Sequence, residues 1–156
     1  MKVFISHKQE DSSLALYVQY VFTQCDIDTY LDVLDSTITG DGKALTDHVK
    51  QNLNSCSDLV VVMSEQTKAS WWVPFEIGMS AQLDMPTATF LMTSVTLPEY
   101  LSYWPRLRST ADIKKYVQVR DRIHSNIRYD QNYSYQRNQK EYETKAFYDA
   151  IKRELR

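Results

Sequence analysis

The sequence predicts an α/β protein in which helices cover both faces of a parallel sheet. Short apolar runs of strand length alternate along the chain with segments whose apolar residues recur at helical spacing. The run Leu59–Met63 is apolar throughout, which is typical of a strand buried on both faces of a parallel sheet. These observations indicate a flavodoxin-like three-layer sandwich with a central parallel sheet of four to five strands.

The first elements are a strand, a helix and a second strand. Val3–Ser6 is a short apolar run of strand type, and the helix after it begins at the N-cap candidates Asp11 and Ser12. Thr29–Leu31 is a weaker second strand. The first helix carries its apolar residues at helical spacing, at Leu14, Val18, Val21, Phe22 and Cys25.

The middle of the chain continues the alternation. A second helix, with Leu45, Val49 and Leu53 on one face, precedes the strand Leu59–Met63. The helix that contains Glu76 comes next, and Thr87–Met92 is a fourth strand after the punctuating Pro86. The order is therefore βαβαβαβ, and right-handed crossovers leave few topologies for it.

The remainder of the chain is predicted to be helical. Pro98–Trp104 suggests a short helix, and the spacing of apolar residues from Ile113 to Ile127 predicts a longer one. A final helix covers Tyr142–Ile151, and the polar stretch Arg128–Gln139 is interpreted as an ordered loop. We expect one domain over residues 1–156, with a core at 2–95 and a helical C-terminal part at 97–156.

Composition excludes several classes of protein. The 156 residues are 43% hydrophobic and 24% charged, as in an ordinary soluble globular protein. A net charge of −2 argues against a nucleic-acid partner bound through its phosphates. Neither a signal segment nor a membrane span is evident, and Cys25 and Cys56 lack disulfide or metal spacing. The prediction is a cytoplasmic protein without a membrane partner.

The segment Ser70–Glu76 places an acid on an apolar helix face. Trp72 and Glu76 are four residues apart, so they share a helix face. The other residues predicted on that stripe are Met79, Ser80 and Leu83. A buried carboxylate is costly unless it is paired, so Glu76 is either neutralised structurally or held for chemistry. Taken alone, the segment favours the structural interpretation.

The predicted topology brings Glu76 close to a ligand-binding edge. Ligands of parallel α/β sheets bind outside the carboxyl ends of the strands. Four loops are predicted at that edge, at residues 6–11, 32–42, 64–70 and 93–98. The N-terminal part of the Glu76 helix follows the third of these loops, so Glu76 is expected near the crevice.

The same residues resemble a known family. The positions that carry the resemblance are Phe4, Ile5, Ser6, His7, Asp11, Ala15, Asp32, Gly40, the strand Val60–Ser64, and Ser70, Trp72 and Glu76 in the spacing Ser-x-Trp-x-x-x-Glu. In this order they resemble a Toll/interleukin-1 receptor (TIR) domain of the bacterial kind, over residues 2 to about 95. Three positions depart from the family pattern. His7 stands where a Tyr is common, Asp26 stands where a glycine usually precedes the second strand, and Val73 replaces the Cys that frequently follows the Trp.

The resemblance implies an enzyme that cleaves the bond between nicotinamide and ribose in NAD, with NAD as substrate and no cofactor. Because nicotinamide leaves a cationic pyridinium as a neutral molecule, no general acid is needed and one carboxylate suffices. Glu76 is then the catalytic residue, and Trp72 forms a wall of the site. The other substrate-binding residues predicted are Phe4, Ser6, His7, Lys8 and Asp32. No metal is expected, because His7, His48 and His124 lack suitably spaced ligands.

The resemblance also implies partners. The loop Asp32–Gly42 holds two of only three glycines in the chain, and loops at this position mediate self-association in the family. An antiphage system of the Thoeris type would supply a separate effector that reads an ADP-ribose-derived product. Two alternatives stay open, a non-catalytic TIR–TIR interaction module and a nucleoside deoxyribosyltransferase-like enzyme. Tyr129, Tyr133 and Tyr135 are candidates for stacking on adenine, although packing within the domain is the commoner use of such residues.

Overall fold

The computed structural model describes residues 1–31, 42–92, 94–129 and 136–156. Its strands are β1 (Lys2–Ser6), β2 (Asp28–Leu31), β3 (Asp58–Val62), β4 (Thr87–Phe90) and β5 (Arg106–Leu107). Its α-helices are α1 (Ser12–Thr23), α2 (Gly42–Asn54), α3 (Glu65–Lys68), α4 (Trp72–Gln82), α5 (Thr110–Tyr129) and α6 (Gln136–Glu154). Single 3₁₀ turns lie at Gln9–Asp11 and Glu99–Leu101.

The strands form one five-stranded sheet in the order β2-β1-β3-β4-β5. Every pair is parallel; in the central pair, for example, Phe4 is in register with Leu59. The predicted flavodoxin-like α/β fold is confirmed. The two-residue strand β5 and the single-turn helix α3 were not predicted, because two to four residues carry no periodicity to detect.

The C-terminal helices are longer than predicted. Helix α5 continues to Tyr129 and α6 begins at Gln136, so the predicted loop Arg128–Gln139 was wrong at both ends. These helix ends are polar, and a polar helix end has no apolar stripe by which a sequence would reveal it. Pro98–Trp104 contains only the 3₁₀ turn at Glu99–Leu101.

Alternate residues of the strands supply two separate cores. Val3 and Ile5 of β1 pack with α1, α5 and α6 on one face of the sheet. Phe4, between them, packs with α2 and α4 on the other face. Strand β3 is buried at every position, as expected for a central strand covered on both sides. The face occupied by α2 and α4 is therefore the face of even-numbered β1 residues, which include Ser6.

A buried charged cluster lies at the amino-terminal edge of the sheet. Asp58, the first residue of β3, is fully buried and accepts hydrogen bonds from Arg120 Nε at 2.7 Å and Tyr116 Oη at 2.8 Å. Arg120 also contacts Glu143 Oε1 at 3.1 Å. This cluster joins α5 and α6 to β3. In the described part of the chain, no helix is long and apolar enough to cross a membrane.

Candidate functional site

The strand order places the crevice of this sheet between β1 and β3. In the order β2-β1-β3, the connections from β1 and from β3 depart in opposite directions, which opens a crevice at the carboxyl ends of those strands. Ser6 ends β1, and Met63 and Ser64 follow β3. Residues at this point are the primary candidates for a ligand site.

Glu76 lies beneath this crevice, on α4. Its side chain is only 1% exposed. Its Oε2 accepts a hydrogen bond from the hydroxyl of Ser6, which is itself fully buried. The contact forms because Ser6 points to the same face of the sheet as Phe4, the face on which α4 packs. The structure thus brings together two predicted site residues that are 70 positions apart in the sequence.

The start of α4 is fixed by Ser70. Its hydroxyl oxygen accepts hydrogen bonds from the backbone N–H groups of Trp72 at 3.2 Å and Val73 at 3.3 Å. These are N–H groups that have no partner within the helix, so Ser70 supports the first turn. The serine of the Ser-x-Trp-x-x-x-Glu pattern is thereby given a structural role, and it sets where α4 begins relative to β3.

The buried stripe of α4 differs from the predicted one. The buried members of the helix are Val73, Glu76, Ile77 and Ser80, whereas Trp72, Met79 and Leu83 are only partly buried. The stripe is rotated because α4 packs on β3 through Val73 and Ile77. Glu76 is therefore in the centre of the packed face.

The two tryptophans have different environments. Trp72 is half-buried, and its ring meets that of Phe75 edge-on, with the centroids 5.8 Å apart. Trp71 is 92% exposed and so does not belong to the core. An exposed Trp next to the crevice is a feature of an interaction or ligand surface.

His7 and Lys8 form the rim of the site on the β1 side. His7 is buried, and its Nε2 lies 3.3 Å from the hydroxyl of Ser12. Lys8 is partly exposed, and its ammonium lies 3.0 Å from the Glu10 carboxylate. This contact lowers the pKa of Glu10. Both residues lie in the loop that follows β1, and their contact with substrate stays a prediction.

Two other predicted ligand contacts have a different outcome. Phe4 is fully buried in the core between the sheet and α2 and α4, with its ring 5.2 Å from that of Tyr30. Phe4 therefore packs in the core and does not contact substrate as predicted, because its side chain is covered by the two helices. Asp32 lies outside the described residues, as do Tyr133 and Tyr135 and the loop segment 32–41.

Asp11 is a site feature that sequence reasoning missed. It was predicted to cap α1, and it does stand at the N-cap position, but its side chain makes no cap hydrogen bond. Its Oδ2 instead accepts hydrogen bonds from the hydroxyls of Ser64 and Thr67, each at 2.5 Å. Nothing in the local spacing could reveal partners more than fifty positions away.

No metal site is evident in the described ranges, where no cluster of three or more His, Cys, Asp or Glu could hold an ion. His48 contacts the Tyr30 hydroxyl at 3.0 Å and lies on α2. His124 contacts Glu143 Oε1 at 3.3 Å, close to the buried cluster at the other edge of the sheet.

A groove of about 400 Å³ lies on the outer surface of α2 and α4. Its lining is Lys50, Asn54, Pro74, Phe75, Gly78, Met79, Gln82 and Leu83. Neither Ser6 nor Glu76 is among these residues, because Glu76 faces the sheet and the groove lies between the outward sides of α2 and α4. The groove is thus separate from the candidate site.

The fold and the site together define a flavodoxin-like α/β domain with a buried glutamate at its switch point. A family model for the TIR domain matches residues 3–131, and the chain therefore belongs to the TIR domain family. A comparison with curated proteins found no match.

Among solved structures, the chain is similar to the TIR domain of the Toll-related receptor TRR-2 from the lower metazoan Hydra magnipapillata. The TM-score is 0.54 at 15% sequence identity, over 67% of this chain and 82% of that one. At this identity the similarity supports the fold.

Proposed function

We propose that this TIR domain cleaves the bond between nicotinamide and ribose in NAD, with Glu76 as the catalytic carboxylate. The observation that carries the proposal is the position of Glu76 at the β1–β3 switch point, where it accepts a hydrogen bond from Ser6. A carboxylate placed at the ligand-binding edge of such a sheet is a candidate for chemistry on a bound ligand.

The proposed reaction requires one negative charge near the anomeric carbon. As nicotinamide leaves, positive charge develops on the ribose, and the Glu76 carboxylate stabilises it more in the transition state than in the substrate. Ser6 holds the carboxylate in position through its hydrogen bond. Trp72 borders the site, and His7, Lys8 and Asp32 are the proposed contacts for the rest of the dinucleotide.

The burial of Glu76 sets a condition on this mechanism. With 1% of its surface exposed, the carboxylate meets a ribose only after the residues above it have moved. The resting domain is therefore proposed to be slow, and activation is proposed to open the crevice. Self-association through the loop 32–42 is the proposed trigger, because contact with a neighbouring subunit can reorder a loop.

The biological role that we propose rests on the sequence resemblance to bacterial TIR domains. The product would be an ADP-ribose-derived signal, cyclic or conjugated, in an antiphage system of the Thoeris type. A separate effector would read that signal. The cytoplasmic location stays a prediction.

The experiment that tests the proposal compares Glu76→Gln with the wild type. The substitution keeps the volume and the hydrogen-bonding capacity of the side chain but removes its charge. We expect nicotinamide release from NAD to fall by on the order of 10²–10³. Product mass spectrometry in the same assay identifies what is made from the ADP-ribose moiety.

Glu141→Gln is the matched control, because Glu141 is exposed on α6 and distant from the crevice. It should have wild-type turnover. Circular dichroism and thermal melting establish that both variants are folded. Wild-type turnover in a folded Glu76→Gln protein would show that Glu76 is structural.

The alternative is a non-catalytic interaction module. A buried Ser6–Glu76 hydrogen bond is also what a purely structural carboxylate forms, and Trp71, 92% exposed, suits an interface. Absence of nicotinamide release from concentrated wild-type protein, with self-association present, would favour this second function. A deoxyribosyltransferase-like activity has no observation in its favour, and a base-exchange assay with deoxynucleosides would detect it.

A further inference from the structure

A single carboxylate connects the two loops that border the crevice. Asp11 ends the loop that follows β1, and its Oδ2 accepts hydrogen bonds from the hydroxyls of Ser64 and Thr67. Ser64 and Thr67 belong to the segment that joins β3 to α4. Asp11 and Ser64 are partly buried, and Thr67 is 1% exposed, so water competes little for these hydrogen bonds.

The hydrogen bonds have a defined direction. Thr67 Oγ1 donates to Asp11 and accepts from the backbone N–H of Lys8 at 3.2 Å. Ser64 Oγ donates to Asp11 and accepts from the N–H groups of Gln66 and Thr67 at 3.0 and 3.2 Å. An ionised carboxylate only accepts, so both hydroxyl protons must point to Asp11, and their lone pairs then face the backbone. One side chain thereby orients three backbone N–H groups in two segments.

These two segments hold the two halves of the candidate site. Lys8 comes two residues after Ser6, which donates to Glu76. The segment from Ser64 to Ser70 leads directly into α4, which carries Glu76. A change in the separation of the segments therefore changes the crevice above the carboxylate.

We propose that Asp11 is a positioning residue that holds the loop after β1 and the Ser64–Ser70 segment at a fixed separation, so that the two sides of the crevice keep the spacing needed to bind substrate when activation moves the residues above Glu76. This inference rests on the proposed function, and it assigns to Asp11 a role in substrate binding. The hydrogen bonds of Asp11 go to Ser64 and Thr67 and not to Glu76, so its loss acts on the shape of the crevice rather than on the carboxylate.

The first test is the kinetics of Asp11→Ala. This substitution removes the oxygen that accepts both hydroxyl hydrogen bonds, so the link between the two segments is lost. We expect the KM for NAD to rise by about tenfold while kcat changes by less than about threefold, the pattern of weakened ground-state binding. Thr67→Val removes the same link from the other side and should raise KM similarly.

Further variants test whether a rise in KM comes from the lost positioning of the two segments or from a general loss of stability. Thr67→Ser keeps the hydroxyl and should lie closer to the wild type than Thr67→Val. The double variant Asp11→Ala/Thr67→Val should raise KM by less than the product of the two single effects, because both substitutions act on one network. Thr144→Val is the stability control, since it removes a hydrogen bond from Thr144 to the backbone oxygen of Asp84 at the other edge of the sheet. It should lower the melting temperature without a change in KM.

Hydrogen exchange of the backbone amides provides a readout that does not depend on catalysis. In Asp11→Ala, the amides of Lys8, Gln66 and Thr67 should exchange at least tenfold faster, while those of β3 should be unchanged. A folded Asp11→Ala protein with wild-type KM, or with unchanged exchange at Lys8, overturns the inference. If the wild type releases no nicotinamide, the proposed function fails independently, and the exchange at Lys8 then decides whether Asp11 holds the two loops.

Discussion

The hydrogen bond between Ser6 and Glu76 is the contact between single residues on which the proposed chemistry depends. Both side chains are buried, so the carboxylate cannot replace a lost donor with bulk water at no cost. The hydrogen bond from the Ser6 hydroxyl is therefore part of the reason that Glu76 is tolerated in the packed face of α4.

Ser6→Ala is expected to lower both stability and activity. Removal of one donor to a buried carboxylate costs about 1–3 kcal/mol of unfolding free energy. Turnover should also fall, because the carboxylate loses the group that orients it. Urea denaturation and nicotinamide release measure the two effects. Ser102→Ala is the control, since Ser102 is exposed and its hydrogen bond to the Glu99 backbone oxygen, 2.7 Å long, lies outside the site. A Ser6→Ala protein as stable as this control would show that the buried bond contributes nothing.

Asp26 shows why one departure from the family pattern is tolerated. Its φ is +57°, in the left-handed region where glycine has no steric penalty. Among the other residues, Asp and Asn adopt this conformation most readily. The turn between α1 and β2 therefore has the same backbone shape with Asp26 as a glycine would give it.

Helix α4 combines a packed face with an aromatic outer edge. Val73 and Ile77 are buried against the sheet, whereas Trp72 and Phe75 form an edge-to-face pair at its side. Trp71, which directly precedes α4, is exposed, whereas Trp72 is half-buried, and the two residues give a matched pair of substitutions.

Trp72→Ala should be more destabilising than Trp71→Ala. Truncation of a fully buried Trp costs about 3–5 kcal/mol, and the partial burial of Trp72 reduces this to roughly 1–3 kcal/mol. Trp71 is 92% exposed, so its truncation should change stability by less than about 0.5 kcal/mol. Chemical denaturation of both variants measures the difference. Equal losses of stability in the two variants would contradict the burial of Trp72 and the exposure of Trp71.

The carboxyl and amino edges of the sheet carry different groups of residues. The carboxyl edge carries the candidate site, and the amino edge carries the buried cluster around Asp58 that attaches α5 and α6 to β3. Burial by itself lowers the pKa of the Arg120 guanidinium, but the neighbouring Asp58 carboxylate more than offsets this, so the net pKa is raised. Arg120 therefore stays charged and paired. Burial raises the pKa of Tyr116 well above its ordinary value, with Asp58 adding to the effect.

Alkaline pH should destabilise the whole domain. Burial raises the pKa of Tyr148, whose hydroxyl oxygen accepts a hydrogen bond from the Thr87 N–H, from 10.0 to about 12. The folded state holds this proton more tightly than the unfolded state. The stabilisation is therefore complete below pH 10 and is lost as the pH rises to about 12, at a cost of about 2–3 kcal/mol. Melting temperatures across this range measure the loss.

Tyr148→Phe is the variant that isolates this effect. It should have a shallower loss of stability between pH 10 and pH 12, because its side chain has no proton to release. Part of the slope will remain, since the pKa of Tyr116 is raised in the same direction. A slope identical to that of the wild type would rule out Tyr148 as a contributor.

Assembly is the other property of the whole molecule that the proposed function requires. A crevice over a buried Glu76 is expected to open on contact with a second subunit, so specific activity should rise with protein concentration. Nicotinamide release and light scattering across a dilution series measure both quantities together. Constant specific activity in a strictly monomeric sample would contradict the assembly mechanism and leave the role of Glu76 standing.

Gly42 offers a variant for the same experiment. It begins α2, and a Cβ added there would meet no atom within 4 Å, so a larger residue is compatible with the fold. Gly42→Tyr should suppress the rise in activity with concentration if the adjacent loop contacts the neighbour. Gly78→Ala, which also has open space and lies on the outer side of α4, is the corresponding control substitution.

The sequence by itself determined the order of strands and helices and the position of Glu76 near the ligand-binding edge. Period-two burial in strands and helical spacing in helices are local properties, so residues close in sequence carry them. The positions that resemble a TIR domain extend from Phe4 to Glu76, and together they indicated the family that the match over residues 3–131 shows.

Only the tertiary structure decided which side chains meet. In the structure, Ser6 contacts Glu76 and Phe4 lies in the core. Asp11 accepts hydrogen bonds from two hydroxyl groups and does not cap a helix. Each of these results depends on segments that are more than fifty positions apart or on the face to which a helix is turned. Spacing along one segment contains no information about the segment that packs against it, because that contact is set by the packing of the whole sheet and its two layers of helices.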